Sequence, residues 1–123
     1  MSGIHVYNIT TEEHVGTNVF YCGRGSILGN PWTDIKDKET KAQYVVKTRE
    51  EAIDRYSHYF DVMCSSNLKF ERAVNDIYKA YKAGEDVYLG CYCHPKACHC
   101  DVIVEKLRKR LLKEKINRQL GYE

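Results

Sequence analysis

The chain has 123 residues, of which 43% are hydrophobic, and it carries 19 Lys and Arg residues against 17 Asp and Glu residues. This length predicts one domain spanning residues 1–123, because two half-sized domains would each bury too little apolar surface to be stable. A net charge of +2 is too small to indicate, by itself, a protein that binds nucleic acid. There is no signal-peptide pattern and no run of the ~20 apolar residues that cross a bilayer, so we expect a cytoplasmic protein without membrane contact.

The first half of the chain contains two predicted strands, at residues 4–9 and 18–22, which are short and rich in apolar and aromatic residues. A long segment follows, and then Thr48 and Glu51 form a capping box that opens a predicted helix over about 48–63. Its apolar residues recur at steps of three and four, which gives the helix one apolar side.

The second half continues with a predicted helix over about 67–83, which Gly84 ends, and with a buried strand at 86–93. A last helix is predicted from Cys100 and Asp101 to Gly121. Apolar strands that alternate with amphipathic helices favour a three-layer α/β/α sandwich with a small, mostly parallel, Rossmann-like sheet. Ligands of such sheets bind at the carboxyl ends of the strands, and here the loops after Cys22 and Gly90 leave those ends.

The loop after the second strand is rich in glycine and carries an arginine and a serine. Such a loop brings backbone N–H groups close to an anion, so we expect a phosphate or a nucleotide there. The segment lacks the spacing of a Walker loop and of a dinucleotide fingerprint, and a plain turn fixed by Asn30 and Pro31 is the alternative. Trp32 would stack on a base or pack in the core, and Ser26 is a candidate nucleophile. The candidate phosphate-binding residues are Gly23, Arg24, Gly25, Ser26, Gly29, Asn30 and Arg49.

Four of the six cysteines lie in the ten residues 91–100, at the end of the third strand. Three interpretations stay open for them. As a metal centre, the soft donors of Cys91, Cys93, Cys98 and His99 would suit zinc, although C-x-C is tighter than the usual knuckle spacing. As a reactive site, Cys93, Cys98 or Cys100 would supply a thiolate, and at Cys98 or Cys100 the start of the last helix and neighbouring basic groups would stabilise it. As structural residues, the thiols would fill buried strand ends.

The last predicted helix is basic between residues 106 and 118, which contain seven Lys and Arg residues and one acidic residue, Glu114. A solvated helix face is the ordinary reason for such a run. The alternative is a contact surface for nucleic acid or for another protein.

These motifs together resemble a family of uncharacterised proteins of bacteria and their phages. The resemblance is carried by Tyr-x-Gly-Arg-Gly-Ser-x-Leu-Gly-Asn-Pro-Trp at 21–32, by Arg-Glu-x-Ala-Ile-x-x-Tyr at 49–56 and by Leu-x-Cys-x-Cys-x-Pro-x-x-Cys-His at 89–99. The family is a domain of unknown function, so the resemblance implies a phage or bacterial setting and no particular reaction. Cys100 departs from the small residue expected after Cys-His, which indicates an additional thiol rather than a central ligand.

We therefore expect a protein that binds a nucleotide, a nucleoside or a nucleic-acid phosphate in a cleft between residues 23–30 and 91–99, and whether it is a nucleotide-processing enzyme stays open. The alternatives are a zinc-stabilised module that binds nucleic acid or protein, and a phage inhibitor that contacts a host protein in the host cytoplasm.

Overall fold

The computed structural model describes residues 3–14, 16, 18–23, 26–33, 44–92 and 99–121. Within them the elements follow in this order: β1 (Ile4–Asn8), β2 (Val19–Tyr21), β3 (Trp32–Thr33), β4 (Tyr44–Val45), α1 (Arg49–Ser66), α2 (Leu68–Lys82), β5 (Val87–Cys91) and α3 (His99–Gln119). No helix of the described residues has the length and apolarity needed to span a membrane.

The main sheet has three parallel strands in the order β1-β5-β2, so the last strand in sequence lies in the middle. β5 is the most buried strand, as its apolar sequence requires, and it pairs with β1 from Ile4↔Val87 to Asn8↔Cys91. A separate parallel pair, β3 with β4, was not predicted because each strand is only two residues long. The order and direction of the strands place the carboxyl ends of β1, β2 and β5 at one edge.

The helix boundaries follow from local capping. The Thr48 side chain accepts a hydrogen bond from the Glu51 N–H at 3.1 Å, as the capping box predicts. The carboxylate of Glu51 reaches one residue further back than predicted and accepts from the Lys47 N–H at 3.1 Å. Asn67 ends α1 and also caps α2, since its side chain accepts from the Phe70 N–H at 3.0 Å. Both predicted helices are thus confirmed to within three residues.

The hydrophobic core lies on one face of the main sheet. Residues of parallel strands that pair in register point to the same side, and alternate residues point to opposite sides. The sheet residues of the core all belong to one such set: Ile4, Val6, Phe20, Val87, Leu89 and Cys91. All three helices contribute side chains to the same core, which is closed by Tyr56, Phe70, Ile77, Ile103 and Leu107.

The opposite face of the sheet carries rings. Tyr88 stacks on His14 with ring centroids 4.2 Å apart and on His5 at 5.2 Å. The ring of Tyr7 lies against Gly90, where an added Cβ would come within 3.1 Å of it. The predicted mixed α/β fold with a parallel sheet is confirmed. A three-layer, Rossmann-like arrangement needs helices on both faces of the sheet, and the described helices share the core on one face, so that arrangement stays a prediction.

Candidate functional site

The loops after β1, β2 and β5 leave the same edge of the sheet and hold one another there. The Ile9 N–H donates to the Cys91 carbonyl at 2.9 Å, and the Cys22 N–H donates to the Gly90 carbonyl at 3.0 Å. The Asn8 side chain donates to the Tyr92 carbonyl at 3.1 Å. The beginning of the glycine-rich loop and the beginning of the cysteine segment are therefore neighbours, as the strand order requires.

His99 joins the last helix to this edge. It is the first residue of α3, it is 6% exposed, and its Nε2 hydrogen-bonds the backbone carbonyl of Cys22. A carbonyl only accepts, so Nε2 carries the proton and acts as the donor. The contact fixes the backbone at the point where β2 passes into the glycine-rich loop. His99 is thus a positioning residue for that loop.

Helix α1 fastens the same loop from the other side. Tyr56 is fully buried, and its hydroxyl donates to the Leu28 carbonyl at 2.7 Å. The Asn30 side chain, which is also buried, donates to the Ala52 carbonyl at 3.1 Å. The Tyr56 ring meets the His99 ring edge-on at 5.0 Å, so the two anchors pack against each other.

The loop itself contains a compact turn around Ser26. The Ser26 N–H and hydroxyl both donate to the Gly23 carbonyl, at 3.2 Å and 2.6 Å, and the Gly29 N–H donates to the Ser26 carbonyl at 3.0 Å. The hydroxyl proton of Ser26 is thus used to shape the loop. Its predicted role as a nucleophile stays a prediction, and so does the predicted phosphate contact of Gly23, Gly29 and Asn30.

The thiols next to His99 are buried. Cys22 and Cys100 are 0% exposed and Cys91 is 1% exposed. The Cys100 sulfur lies 4.0 Å from Nε2 of His99. A nucleophilic thiol needs access to its substrate, so the burial of Cys100 favours the structural interpretation over the reactive one for this residue. Cys93 and Cys98, the other two predicted reactive thiols, lie outside the described residues.

The zinc interpretation depends on the same segment. Of its predicted ligands, Cys91 and His99 are described, and their positions at the end of β5 and the start of α3 bring them to one edge. Because Nε2 of His99 donates to a carbonyl, a metal would bind at Nδ1. Among the described residues no group of three or more His, Cys, Asp or Glu side chains is arranged to hold a metal ion. Zinc stays a prediction.

Arg49, the remaining predicted phosphate ligand, is the first residue of α1 and is half-buried. Arg24 and Gly25, at the centre of the predicted anion loop, lie outside the described residues. Of the other predicted loop residues, Gly23 directly follows the end of β2, and Ser26, Gly29 and Asn30 lie further along the same loop.

The exposed side of the edge carries two tyrosines that the sequence interpretation passed over. Tyr21 ends β2 and Tyr92 follows β5, with ring centroids 6.2 Å apart and planes at 84°. They are 42% and 60% exposed. Their signal in the sequence was position, because Tyr92 stands between Cys91 and Cys93 and Tyr21 stands two residues before Gly23. Cys22 was also missed, because no local pattern pairs it with His99, which lies 77 residues further along the chain.

Burial raises the pKa of a phenol on each side of the edge, and more strongly on the inner side. Burial raises the pKa of the Tyr56 phenol well above its usual value, and the nearby Cys22 and Cys100 add to that rise. Partial burial also raises the pKa of Tyr21, with Tyr92 as the next cause. Both phenols are therefore neutral hydrogen-bond donors at physiological pH.

Comparison with known proteins gives a family and no activity. Residues 7–109 match the model of a domain of unknown function, DUF4326. No curated protein and no solved structure matches the chain. The matched segment contains the end of β1, the glycine-rich loop, β5 and the start of α3, which together form the edge described above. The chain belongs to the DUF4326 family of domains of unknown function.

Proposed function

We propose that this protein binds a nucleotide or another nucleic-acid-derived phosphate in the cleft between residues 23–30 and 91–99. The observation that carries the proposal is that the described ends of both segments meet at the carboxyl edge of a parallel sheet, where the Cys22 N–H donates to the Gly90 carbonyl and His99 holds the Cys22 carbonyl. This edge is the usual binding position in open parallel α/β sheets.

The loop is pre-shaped for such a ligand. Ser26 closes its turn, Tyr56 and Asn30 tie its second half to α1, and His99 fixes its start. A loop held at both ends loses little conformational entropy on binding. The Ser26 N–H, the Ser26 hydroxyl and the Gly29 N–H donate within the turn, so contact with the anion falls to other donors. Arg24 would add a guanidinium to the phosphate and Arg49 a second positive charge.

The test is isothermal titration of the whole protein with the four nucleoside monophosphates and triphosphates. We expect saturable binding that Arg24→Ala weakens about tenfold, as for the loss of one charge-assisted hydrogen bond. Arg72→Ala is the matched control, because Arg72 is an exposed arginine on α2. Absence of binding, or equal binding by the Arg24 and Arg72 variants, would contradict the proposal.

A second function, contact with a nucleic-acid backbone, is favoured by the surface between α2 and α3. A groove of about 420 Å³ there is lined by Arg72, Lys79, Lys82 and Arg110, with Asp76 and Glu114 between them. Glu114 pairs with Lys82 at 3.0 Å. The four basic side chains outnumber the two acidic ones, so the groove has a net positive charge. Binding of single-stranded RNA or DNA that falls steeply with salt would support this function. Salt-independent binding, or none, would count against it.

A further inference from the structure

The chain has ten tyrosines. Among those that the structure describes, three are buried in the protein and two are exposed large side chains. Tyr56, Tyr78 and Tyr7 are at most 7% exposed. Tyr21 and Tyr92 are the two tyrosines among the exposed large hydrophobic side chains of the described residues. Exposed aromatic rings that stand together on a protein surface are a common mark of a binding site.

The two rings are held in place by the strands beneath them. Tyr21 pairs in register with Gly90, and Tyr92 follows two residues after Gly90, so both leave the same side of neighbouring strands. The Tyr21 ring also lies against Gly23, because a Cβ added to that glycine would come within 2.5 Å of the Tyr21 hydroxyl. Tyr21 is therefore packed directly on the start of the glycine-rich loop.

The relative orientation of the rings makes a corner. With planes at 84° and centroids 6.2 Å apart, a flat molecule can lie on the face of one ring while its edge meets the other ring. A phenol hydroxyl at such an edge both donates and accepts hydrogen bonds, as the rim of a nucleobase requires. Sugars and inorganic phosphate have no flat π-face to use this geometry.

We propose that Tyr21 and Tyr92 form a stacking corner for a nucleobase, which places the base of the bound nucleotide on the exposed side of the edge while its phosphate meets the glycine-rich loop. This inference rests on the proposed function and makes it specific, because the ligand must carry a planar base as well as a phosphate. Stacking on tyrosine tolerates any base, so discrimination between bases comes from the hydroxyls.

Isothermal titration with AMP, GMP, CMP and UMP and with ribose phosphate tests the corner. We expect at least one nucleotide to bind more tightly than ribose phosphate, and Tyr92→Leu to weaken nucleotide binding about five- to a hundredfold. Tyr92→Phe keeps the ring and should stay within about threefold of the wild type. Tyr81→Leu is the control, since Tyr81 lies near the end of α2, before β5 begins and away from the carboxyl edge.

The outcomes separate the two proposals. If ribose phosphate binds as tightly as the nucleotides and Tyr92→Leu binds like the wild type, the stacking corner is wrong and the phosphate site stands. If none of these compounds binds, the proposed function is wrong and the corner is wrong with it. Unfolding in urea shows whether Tyr92→Leu is folded, and Tyr21→Leu provides an independent second variant.

Discussion

The carboxyl edge has a buried inner side and an exposed outer side, which have different roles although adjacent residues form them. On the inner side, Tyr56, His99, Cys22 and Cys100 are buried and bind the loops to the helices. On the outer side, Tyr21 and Tyr92 are exposed and contribute little to the core. Changes on the inner side should therefore cost stability, while changes on the outer side should alter binding and leave the free energy of unfolding nearly intact.

The largest effect is expected from Tyr56→Ala. Removing a fully buried ring leaves a cavity and takes the donor from the Leu28 carbonyl. We expect the free energy of unfolding to fall by about 3–5 kcal/mol, measured by urea denaturation. Tyr92→Leu, measured alongside, should change it by less than about 0.5 kcal/mol. Similar losses in the two variants would abolish the distinction between the two sides.

His99→Phe should have the next largest effect. The substitution keeps a ring of similar size against Tyr56 and removes the donor to the Cys22 carbonyl. A buried carbonyl that loses its partner costs about 1–3 kcal/mol of stability. His58→Phe is the control, because His58 lies exposed on α1. If both variants lose the same stability, His99 does not position the loop.

Alkaline pH should distinguish the two sides through their phenols. The pKa of Tyr56 is raised well above its ordinary value near 10.0 by burial, so above that pH the unfolded chain releases this proton first. Stability then falls as pH rises, by up to about 1.4 kcal/mol per pH unit for this group. Below that pH both states hold the proton, and Tyr56 adds no pH dependence.

Urea unfolding at several values between about pH 9 and pH 12 measures this slope. Tyr56→Phe should flatten it most. Tyr21→Phe should flatten it less, because Tyr21 is partly exposed and its pKa is raised less strongly. An unchanged slope in Tyr56→Phe would show that the buried phenol does not titrate above the unfolded one.

Two glycines of this edge should differ in how well they tolerate an added methyl group. Gly90→Ala would put a Cβ 2.7 Å from the Ile9 side chain and 3.1 Å from the buried Tyr7 ring, which should cost about 1–3 kcal/mol of stability. At Gly23 the nearest atoms belong to the exposed Tyr21 ring, which can move outward, so Gly23→Ala should cost less than about 1 kcal/mol. The Tyr92 ring resonances should shift in the second variant alone. A larger loss in Gly23→Ala would contradict this order.

Local signals predicted most of the secondary structure. The Thr48 cap, the apolar spacing of α1 and α2, and the apolar run of β5 depend on neighbours in sequence, and each lies within three residues of its predicted position. β3 and β4 could not be predicted, because a two-residue strand carries no periodicity and exists only through its partner. The side of the sheet that each helix covers could not be predicted either, because the path of the connections between strands determines it and the local sequence pattern does not.

For the candidate site, the sequence by itself predicted which residues follow the strands, and hence that the segments beginning at Gly23 and Cys91 start from one edge. The tertiary structure decided what those residues face. It buried Cys22, Cys91 and Cys100, directed the His99 N–H to the Cys22 carbonyl as a hydrogen-bond donor, and left Tyr21 and Tyr92 exposed. The reason is that strand alternation and burial are set by the partner strands and helices, which sequence spacing does not specify.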